Sequence, residues 1–194
     1  MTEKVSMAEL SDQLWKIEGL AASAPYPELK EKLELFGQFV GDWEMEDRYL
    51  KEDGTWGVGR GGIHWRWILE GRGMQDTFTE IDEKSGREIP WGTTVRFYDP
   101  KIDAWRSTWN SPRQGAVKTF IGRKVADQIV LERRSEEGHL WKWIFSEIKK
   151  NSFRWHSEMS RDNGETWTLT EEVQVRRKPQ TVDTRLAGES YIPE

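Results

Sequence analysis

Residues 140–159, LWKWIFSEIKKNSFRWHSEM, alternate large apolar and polar side chains through two runs that a short polar stretch separates. Trp141 and Trp143 share one phase of the first run, and Phe153 and Trp155 share one phase of the second. Successive side chains of a β-strand point to opposite faces of a sheet, so this period predicts two strands, each with one apolar and one polar face. The short connection predicts that the two strands pair antiparallel.

The same period continues from Gly41 onward and predicts about ten strands. Turn formers separate the runs, among them Asp53-Gly54, Asp99-Pro100 and Asn163-Gly164. A meander of antiparallel strands is expected to close, because closure removes the exposed edges of a sheet. The predicted fold class is therefore all-β, an up-and-down barrel. The strands are expected near residues 42–50, 61–70, 73–81, 92–99, 104–110, 115–123, 127–134, 139–147, 151–159 and 166–177.

Two short helices are predicted ahead of the barrel, over residues 8–20 and 28–36, where apolar side chains recur at helical spacing. Pro27 suits the first turn of the second helix. The chain is expected to have three parts: an N-terminal helical segment at 1–40 packed on the barrel, the barrel itself at 41–178, and a polar C-terminal arm at 179–194.

Composition and charge narrow the function classes. Lys and Arg total 29 against 34 for Asp and Glu, a net charge of -5, whereas a nucleic-acid groove needs a basic face. We therefore expect no nucleic-acid partner and, without a polybasic patch or an apolar run of about 18 residues, no membrane partner. The first residues contain acids and no apolar signal core, so a cytoplasmic location is expected. The absence of cysteine excludes disulfides, zinc–thiolate sites and cysteine nucleophiles.

The 12 tryptophans are the unusual feature of the composition. Indole rings are large and apolar, and a buried indole N–H usually finds a hydrogen-bond partner. The rings indicate either a bulky core or an aromatic-lined pocket. Their phase in the predicted strands turns most of them toward the barrel interior. The candidate ligand-binding residues are Trp65, Trp67, Arg96, Tyr98, Trp105, Trp109, Trp141, Trp143 and Trp155.

Histidines are the first candidates for proton transfer. His64 and His156 fall in the polar phase of their strands and His139 lies in a turn, which favours surface positions. The alternative is that His64 or His156 points inward as a haem ligand or a general base. Tyr98 is a third weak candidate for a catalytic group.

Arg96, Tyr98 and Arg106 lie beside large aromatic residues in one predicted hairpin. They fit two roles equally well: holding a carboxylate or phenolate at a pocket mouth, or forming exposed cross-strand pairs. The glycine-rich stretch GVGRGG at residues 57–62 does not lead into a helix. It therefore predicts a flexible, strained or bulged lead into a strand rather than a phosphate-binding loop.

Residues 160–167, SRDNGETW, match the Asp-box pattern S-x-D-x-G-x-T-W, in which the Asp caps a turn and the Trp packs beneath it. The motif occurs once, with a looser echo at residues 53–56, so it predicts a hairpin device rather than a propeller repeat. The period of the last strand also places Trp167 in one apolar row with Leu169 and Val173.

Four segments carry a resemblance to known proteins: Gly41-Asp42-Trp43-Glu44, Trp67-Ile68-Leu69-Glu70-Gly71-Arg72, Arg96-Phe97-Tyr98-Asp99-Pro100 with Trp105, and Asp162-Asn163-Gly164-Glu165-Thr166-Trp167. Over residues 36–178 the chain resembles a bacterial family of lipocalin-like (calycin) β-barrels that has no assigned function and is related in architecture to nitrobindin. The resemblance implies a central cavity and allows for a homodimer. Nitrobindin holds haem through a late histidine, but the residues around His156 do not match that motif. We expect no cofactor and no metal.

Three hypotheses follow for the interior. In the first, a tryptophan-lined cavity binds a small apolar or aromatic molecule. In the second, the same cavity belongs to an enzyme of the isomerase, hydratase, cyclase or lyase type, with acid–base chemistry by His64, Tyr98 or His156. In the third, the tryptophans of a structural or interaction protein fill the interior. A ligand would quench tryptophan fluorescence under the first two only.

Overall fold

The computed structural model describes residues 20–179 and contains a closed barrel of ten antiparallel strands. Each strand pairs with its neighbours in sequence, and the first pairs with the last. The predicted all-β, up-and-down fold is confirmed. The strands are β1 (Gly41–Leu50), β2 (Trp56–Ile68), β3 (Gly73–Ile81), β4 (Glu88–Asp99), β5 (Ala104–Ser111), β6 (Ala116–Val125), β7 (Gln128–Arg134), β8 (Leu140–Lys149), β9 (Ser152–Ser160) and β10 (Thr168–Arg177).

The alternation of the first strand sets the pattern of the wall. Trp43, Met45 and Asp47 of β1 are buried, whereas Glu44 and Glu46 between them are exposed. Side chains of the first set point into the barrel and those of the second set point to solvent. One phase of every strand therefore supplies the interior, and the other supplies the outer surface.

A single turn of 3-10 helix at Pro27–Leu29 leads into helix α1 (Lys30–Gly37) ahead of the barrel. The helix predicted over residues 28–36 is therefore confirmed. The helix predicted over 8–20 and the arm predicted over 179–194 lie outside the described residues, apart from one residue of each, so the three-part division stays a prediction. No helix of the described part of the chain is long and apolar enough to cross a membrane.

Helix α1 closes one end of the barrel, here called the closed end. Phe36 of α1 and Phe39, which follows the helix, are almost completely buried. The ring centroid of Phe36 lies 4.8 Å from that of Trp105, and the centroid of Phe39 lies 4.7 Å from that of Phe153. The indole N–H of Trp43 donates a hydrogen bond of 2.7 Å to the Phe39 carbonyl. The helical segment is thus fixed to the interior, and the opposite end of the barrel, where β1 ends, is here called the open end.

The glycine-rich stretch at residues 57–62 is regular strand, so its prediction as a flexible lead is wrong. β2 begins at Trp56, and none of these glycines has a positive φ. A Cβ atom on Gly57 would overlap the ring of Tyr49, and one on Gly61 would overlap the carbonyl oxygen of Thr79. These glycines allow close approach of neighbouring groups rather than freedom of the backbone.

Trp167 lies outside the barrel, so its placement in the inward row of the last strand is wrong. It precedes β10, its N–H donates to the Gly164 carbonyl at 3.2 Å, and the ammonium of Lys142 lies 4.0 Å from its ring centroid. Asp162 accepts a hydrogen bond from the backbone N–H of Thr166 at 2.9 Å. The Asp-box therefore acts as the predicted turn device, and its tryptophan belongs to the turn.

Substitution of the buried helix ring tests how far α1 stabilises the barrel. Phe36→Ala is expected to lower the free energy of unfolding by about 3–5 kcal/mol, because it empties a fully enclosed site at the closed end. Chemical denaturation followed by circular dichroism measures the change. Phe97→Ala removes the same side chain from the outer face of β4, where Phe97 is 47% exposed, and is expected to cost under about 1 kcal/mol. Equal losses for both variants would contradict this role of the helix.

Candidate functional site

The helix fills only the closed half of the barrel, and a cavity of about 390 Å³ occupies the remainder. Its walls come from the inward phase of the strands, which is rich in indole rings. Barrels of more than about eight strands have interiors wider than their own side chains fill, and here the excess width is left toward the open end. The six tryptophans that line the cavity are Trp65, Trp91, Trp109, Trp141, Trp143 and Trp155.

Small inward residues contribute to the space. Gly59, Thr94 and Ser157 face the cavity from β2, β4 and β9, at positions where larger side chains would occupy it. A Cβ on Gly59 would meet its nearest neighbours only at 3.7–3.8 Å, an ordinary contact distance. The space is therefore open beside Gly59 rather than closed by tight packing.

The floor of the cavity carries a buried ion pair. Arg96 on β4 is 2% exposed and donates to Asp76 on β3 through its Nη1. The guanidinium lies 4.3 Å from the ring centroid of Trp65 and 5.0 Å from that of Phe36, so it adjoins the helical segment that closes the barrel. Burial lowers the pKa of Arg96 and raises that of Asp76, while their mutual attraction opposes both changes.

Three buried polar atoms of lining residues have no hydrogen-bond partner among the described residues. They are Trp65 Nε1, Arg96 Nε and Asp47 Oδ1. An unpaired buried polar group costs about 1–3 kcal/mol. The residues that line the cavity thus include two unpaired donors near its floor and one unpaired acceptor on the β1 wall.

Three carboxyl groups, here called the acidic wall, lie together toward the open end: Asp47 on β1, Glu80 on β3 and Glu171 on β10. Asp47 is opposite Val173 of β10, so Glu171, two residues away, is its diagonal neighbour on the inward face. Asp47 Oδ2 and Glu80 Oε1 lie 3.8 and 3.7 Å from the point that a Cβ of Gly59 would occupy. The three carboxyls therefore share one side of the cavity.

The acidic wall has perturbed ionisation. Burial, with repulsion from Glu80, raises the pKa of Asp47 to about 7. Burial, with repulsion from Asp47 and opposed by Lys118, raises the pKa of Glu171 to about 8. Both shifts follow from removing water around like charges. Near neutral pH the pair therefore holds protons that ordinary carboxyl groups would have released.

Lys118 on β6 is the ammonium that faces the same cavity. Its Nζ lies 5.6 Å from the ring centroid of Trp141, within the range of a cation–π contact. It forms no ion pair with a carboxylate of the described chain, and burial lowers its pKa. The side chain therefore lies against the aromatic wall, beyond ion-pair distance of the carboxyls, and offsets the charge of Glu171 only in part.

The candidate ligand-binding residues divide between two heights in the barrel. The cavity is lined by Trp65, Arg96, Trp109, Trp141, Trp143 and Trp155, whereas Trp67, Tyr98 and Trp105 are at the closed end. Trp105 packs on Phe36, the indole of Trp67 packs against Gly37, and the Tyr98 hydroxyl donates to Asp103. These last three groups support the helical segment and do not reach the cavity.

The candidate proton-transfer residues lie outside the cavity wall. His64 Nδ1 and Nε2 each lie 2.7 Å from a carboxylate oxygen, of Asp42 and Glu88 respectively, on the outer face of β2. His156 is on the outer face of β9 with Nδ1 3.1 Å from an Arg154 nitrogen, and burial lowers its pKa. His139 follows the turn before β8. Tyr98 is at the closed end.

The two arginines of the predicted hairpin take different roles. Arg96 points inward and lines the cavity, whereas Arg106 donates from Nε to Asp99 at 2.7 Å on the outer face. Arg106 and Tyr98 thus form exposed pairs with Asp99 and Asp103, whereas a role of Arg96 in holding a ligand group stays a prediction. The strand period alone does not identify the partner of Arg96, because Asp76 lies on the neighbouring strand β3.

Sequence reasoning missed the acidic wall, although the strand period contained a signal for it. Asp47 continues the inward row of Trp43 and Met45, and Glu171 continues the inward row of Val173 and Val175. An acid in the apolar phase of a strand indicates a buried charge. Attention to those phases would have selected both residues.

No family model and no curated protein matches the sequence. Among solved structures, the S-type phycobiliprotein lyase CpeS from Guillardia theta is similar, with 11% identity, a TM-score of 0.52, and coverage of 81% of this chain and 100% of that one. The protein Rv2717c from M. tuberculosis is similar with 9% identity and a TM-score of 0.51, covering 80% and 99%. At this identity the similarity establishes the fold alone, a ten-stranded lipocalin-like (calycin) barrel. The relation to nitrobindin and to the bacterial family stays a prediction.

The raised carboxyl pKa values predict how stability depends on pH. Below about pH 4 these groups are protonated in both the folded and the unfolded chain, and they contribute nothing. From there to about pH 8 the unfolded chain loses protons that the folded chain keeps, so the free energy of unfolding falls as pH rises. Asp47→Asn is expected to raise the free energy of unfolding by about 2 kcal/mol at pH 8.5 and to leave it unchanged at pH 4.

Thermal and denaturant unfolding at the two pH values measure this difference. Glu46→Gln removes a carboxyl from the exposed face of the same strand and serves as the control, with no change expected at either pH. A stabilisation by Asp47→Asn that is the same at pH 4 and pH 8.5 would show that buried charge is not its cause.

Proposed function

We propose that the cavity binds a small, flat, apolar or aromatic molecule. The observation that carries the proposal is an unfilled space of about 390 Å³, bounded by six indole rings and three buried polar atoms without partners in the described residues. Protein interiors normally pack to the density of organic crystals, so a space of this size is unusual for a purely structural core. Concave apolar sites with a few polar groups are the usual form of small-molecule sites.

The arrangement of the rings suits a planar ligand. Trp143 meets Trp155 at a centroid distance of 5.4 Å and an interplanar angle of 70°, and meets Trp109 at 6.3 Å and 80°. Its other side stacks on Phe120 at 4.0 Å. A flat molecule beside Trp143 therefore finds ring faces and ring edges at nearly right angles, the geometry that aromatic pairs prefer. The volume is near the lower limit of ligand sites and suits two or three rings.

An enzyme that uses the same cavity is the second candidate. His64, Tyr98 and His156 do not line the cavity, so proton transfer would fall to Asp47 or Glu171, whose raised pKa values suit general acid–base work near neutral pH. A lyase is among the proteins of similar fold, but that similarity assigns no activity to this chain. Loss of turnover with retained ligand binding in Asp47→Asn would favour an isomerase, hydratase, cyclase or lyase.

The remaining expectations on partners stay predictions. These are the absence of nucleic-acid and membrane partners, the cytoplasmic location and the homodimer. They follow from composition and resemblance alone.

A cavity-filling variant tests the proposed function. The neutral fluorophore N-phenyl-1-naphthylamine is expected to bind the protein and quench its tryptophan fluorescence. Ser157→Phe places a ring in the cavity from β9 and is expected to weaken binding at least about tenfold. Ser152→Phe adds the same ring to the outward phase of the same strand and is expected to leave affinity unchanged. No binding to the unmodified protein, or equal binding to both variants, would contradict a ligand site in the barrel.

A further inference from the structure

The charged groups that face the cavity are unevenly distributed. Asp76 and Arg96 neutralise each other at the floor. Arg60 borders the open end but is exposed and belongs to the outward phase of β2. The ionisable groups left inside are the three carboxyls of the acidic wall and, across the barrel on β6, the amine of Lys118.

Lys118 offsets the acidic wall only in part. Burial lowers its pKa, attraction from Glu171 opposes that change, and repulsion from Arg133 adds to it, while its ammonium lies against Trp141 rather than in an ion pair with the wall. None of the three wall carboxyls forms an ion pair within 4.0 Å with a described residue. The cavity therefore has an excess of acidic groups on the side formed by β10, β1 and β3.

Asp47 also requires a hydrogen-bond donor. It is 9% exposed, and its Oδ1 has no partner among the described residues. An unpaired buried carboxylate oxygen is costly, and an N–H or O–H group of a cavity ligand that reaches the Asp47 side chain would relieve that cost.

We propose that the acidic wall is a subsite for a protonated nitrogen group of the ligand, an amine or an amidine, whose apolar or aromatic body lies among the indole rings. The proposal rests on the proposed function, since it assigns a chemical class to the ligand of that cavity. A carboxylate on one side and indole faces around it form the combination that binds organic ammonium groups, through charge-assisted hydrogen bonds and cation–π contacts. Lys118 over Trp141 already shows one ammonium held against an indole of this cavity.

Binding of such a cation is coupled to proton release. A positive group beside Asp47 and Glu171 favours their ionised forms, so the protons they hold near neutral pH leave as the ligand enters. Affinity for the cation is therefore expected to rise with pH between about 6 and 8.5. The other titratable or charged residues that line the cavity, and that shape this dependence, are Tyr49, Asp76, Glu80, Arg96 and Lys118, with Arg60 at its outer border.

A pair of probes of nearly equal shape tests the subsite: 2-(2-naphthyl)ethylammonium and the neutral 2-(2-naphthyl)ethanol. Isothermal titration at pH 8.5 is expected to give the ammonium an affinity at least about tenfold higher than the alcohol. At pH 6 the difference is expected to shrink, and titrations in buffers of different ionisation enthalpy are expected to reveal proton release with the ammonium only.

Variants of the acidic wall locate the effect. Asp47→Asn and, independently, Glu171→Gln are expected to weaken ammonium binding about tenfold and to leave alcohol binding nearly unchanged. Glu46→Gln on the outer face of β1 is the control and is expected to change neither. Circular dichroism establishes that each variant is folded, and the use of two wall variants keeps the test decisive if one of them fails to fold.

The outcomes separate the subsite from the cavity. Equal or tighter binding of the alcohol, or tightest binding of 2-naphthylacetate, would overturn the cation subsite and leave the aromatic cavity intact. Failure of all three probes to bind would overturn the proposed function together with the subsite. Ammonium binding that both wall variants leave unchanged would place the cation elsewhere and would also overturn the proposal.

Discussion

A barrel of ten strands is wider than its inward side chains can fill, and the rest of this structure follows from how that width is occupied. At the closed end the helical segment inserts Phe36 and Phe39 between Trp65, Trp105, Phe145 and Phe153. Nothing of comparable size enters the open half from the described residues. Indole rings there line the space without filling it, and Gly59, Thr94 and Ser157 keep it clear. One short helix thus divides the interior into a packed half and a cavity.

The polar groups of the interior follow the same division. Arg96 lies next to the helical segment, against the ring of Trp65, and pairs with Asp76, so its charge is compensated within the protein. Asp47 and Glu171 lie toward the open end and form no ion pair with a described residue, and burial raises their pKa values. An apolar cavity makes an unpaired carboxylate costly. The same surroundings strengthen the attraction between that carboxylate and a cation that enters the cavity. In the proposed cation subsite, the groups that select the ligand are thus the same carboxyls whose burial is costly.

Much of the fold could be predicted from the sequence, because strand period and turn chemistry are local properties. The alternation at Trp141 and Trp143, and the Asp-Gly, Asp-Pro and Asn-Gly breaks, are sufficient to predict the meander. The candidate site was harder to predict, since the strand period assigns a side chain to a face of the sheet but not to a height along the barrel. Trp105 and Trp109 share a phase, yet the helix covers the first and the cavity exposes the second. Contacts between residues far apart in sequence could not be predicted either. Gly57 and Gly61 of β2 are explained by close approach to Tyr49 and Thr79, and the register of β1 with β10 places Asp47 beside Glu171.

The central claim is that an open, aromatic-walled space exists inside the barrel, and a heavy-atom ligand locates such a space directly. Crystals of the protein soaked with 2-bromonaphthalene, with diffraction data collected at the bromine absorption edge, give an anomalous difference map. We expect its strongest bromine peak inside the open half, beside the rings of Trp143 and Trp155. A map with bromine only on the outer surface, or with the indole rings collapsed onto one another around a solid interior, would contradict this account.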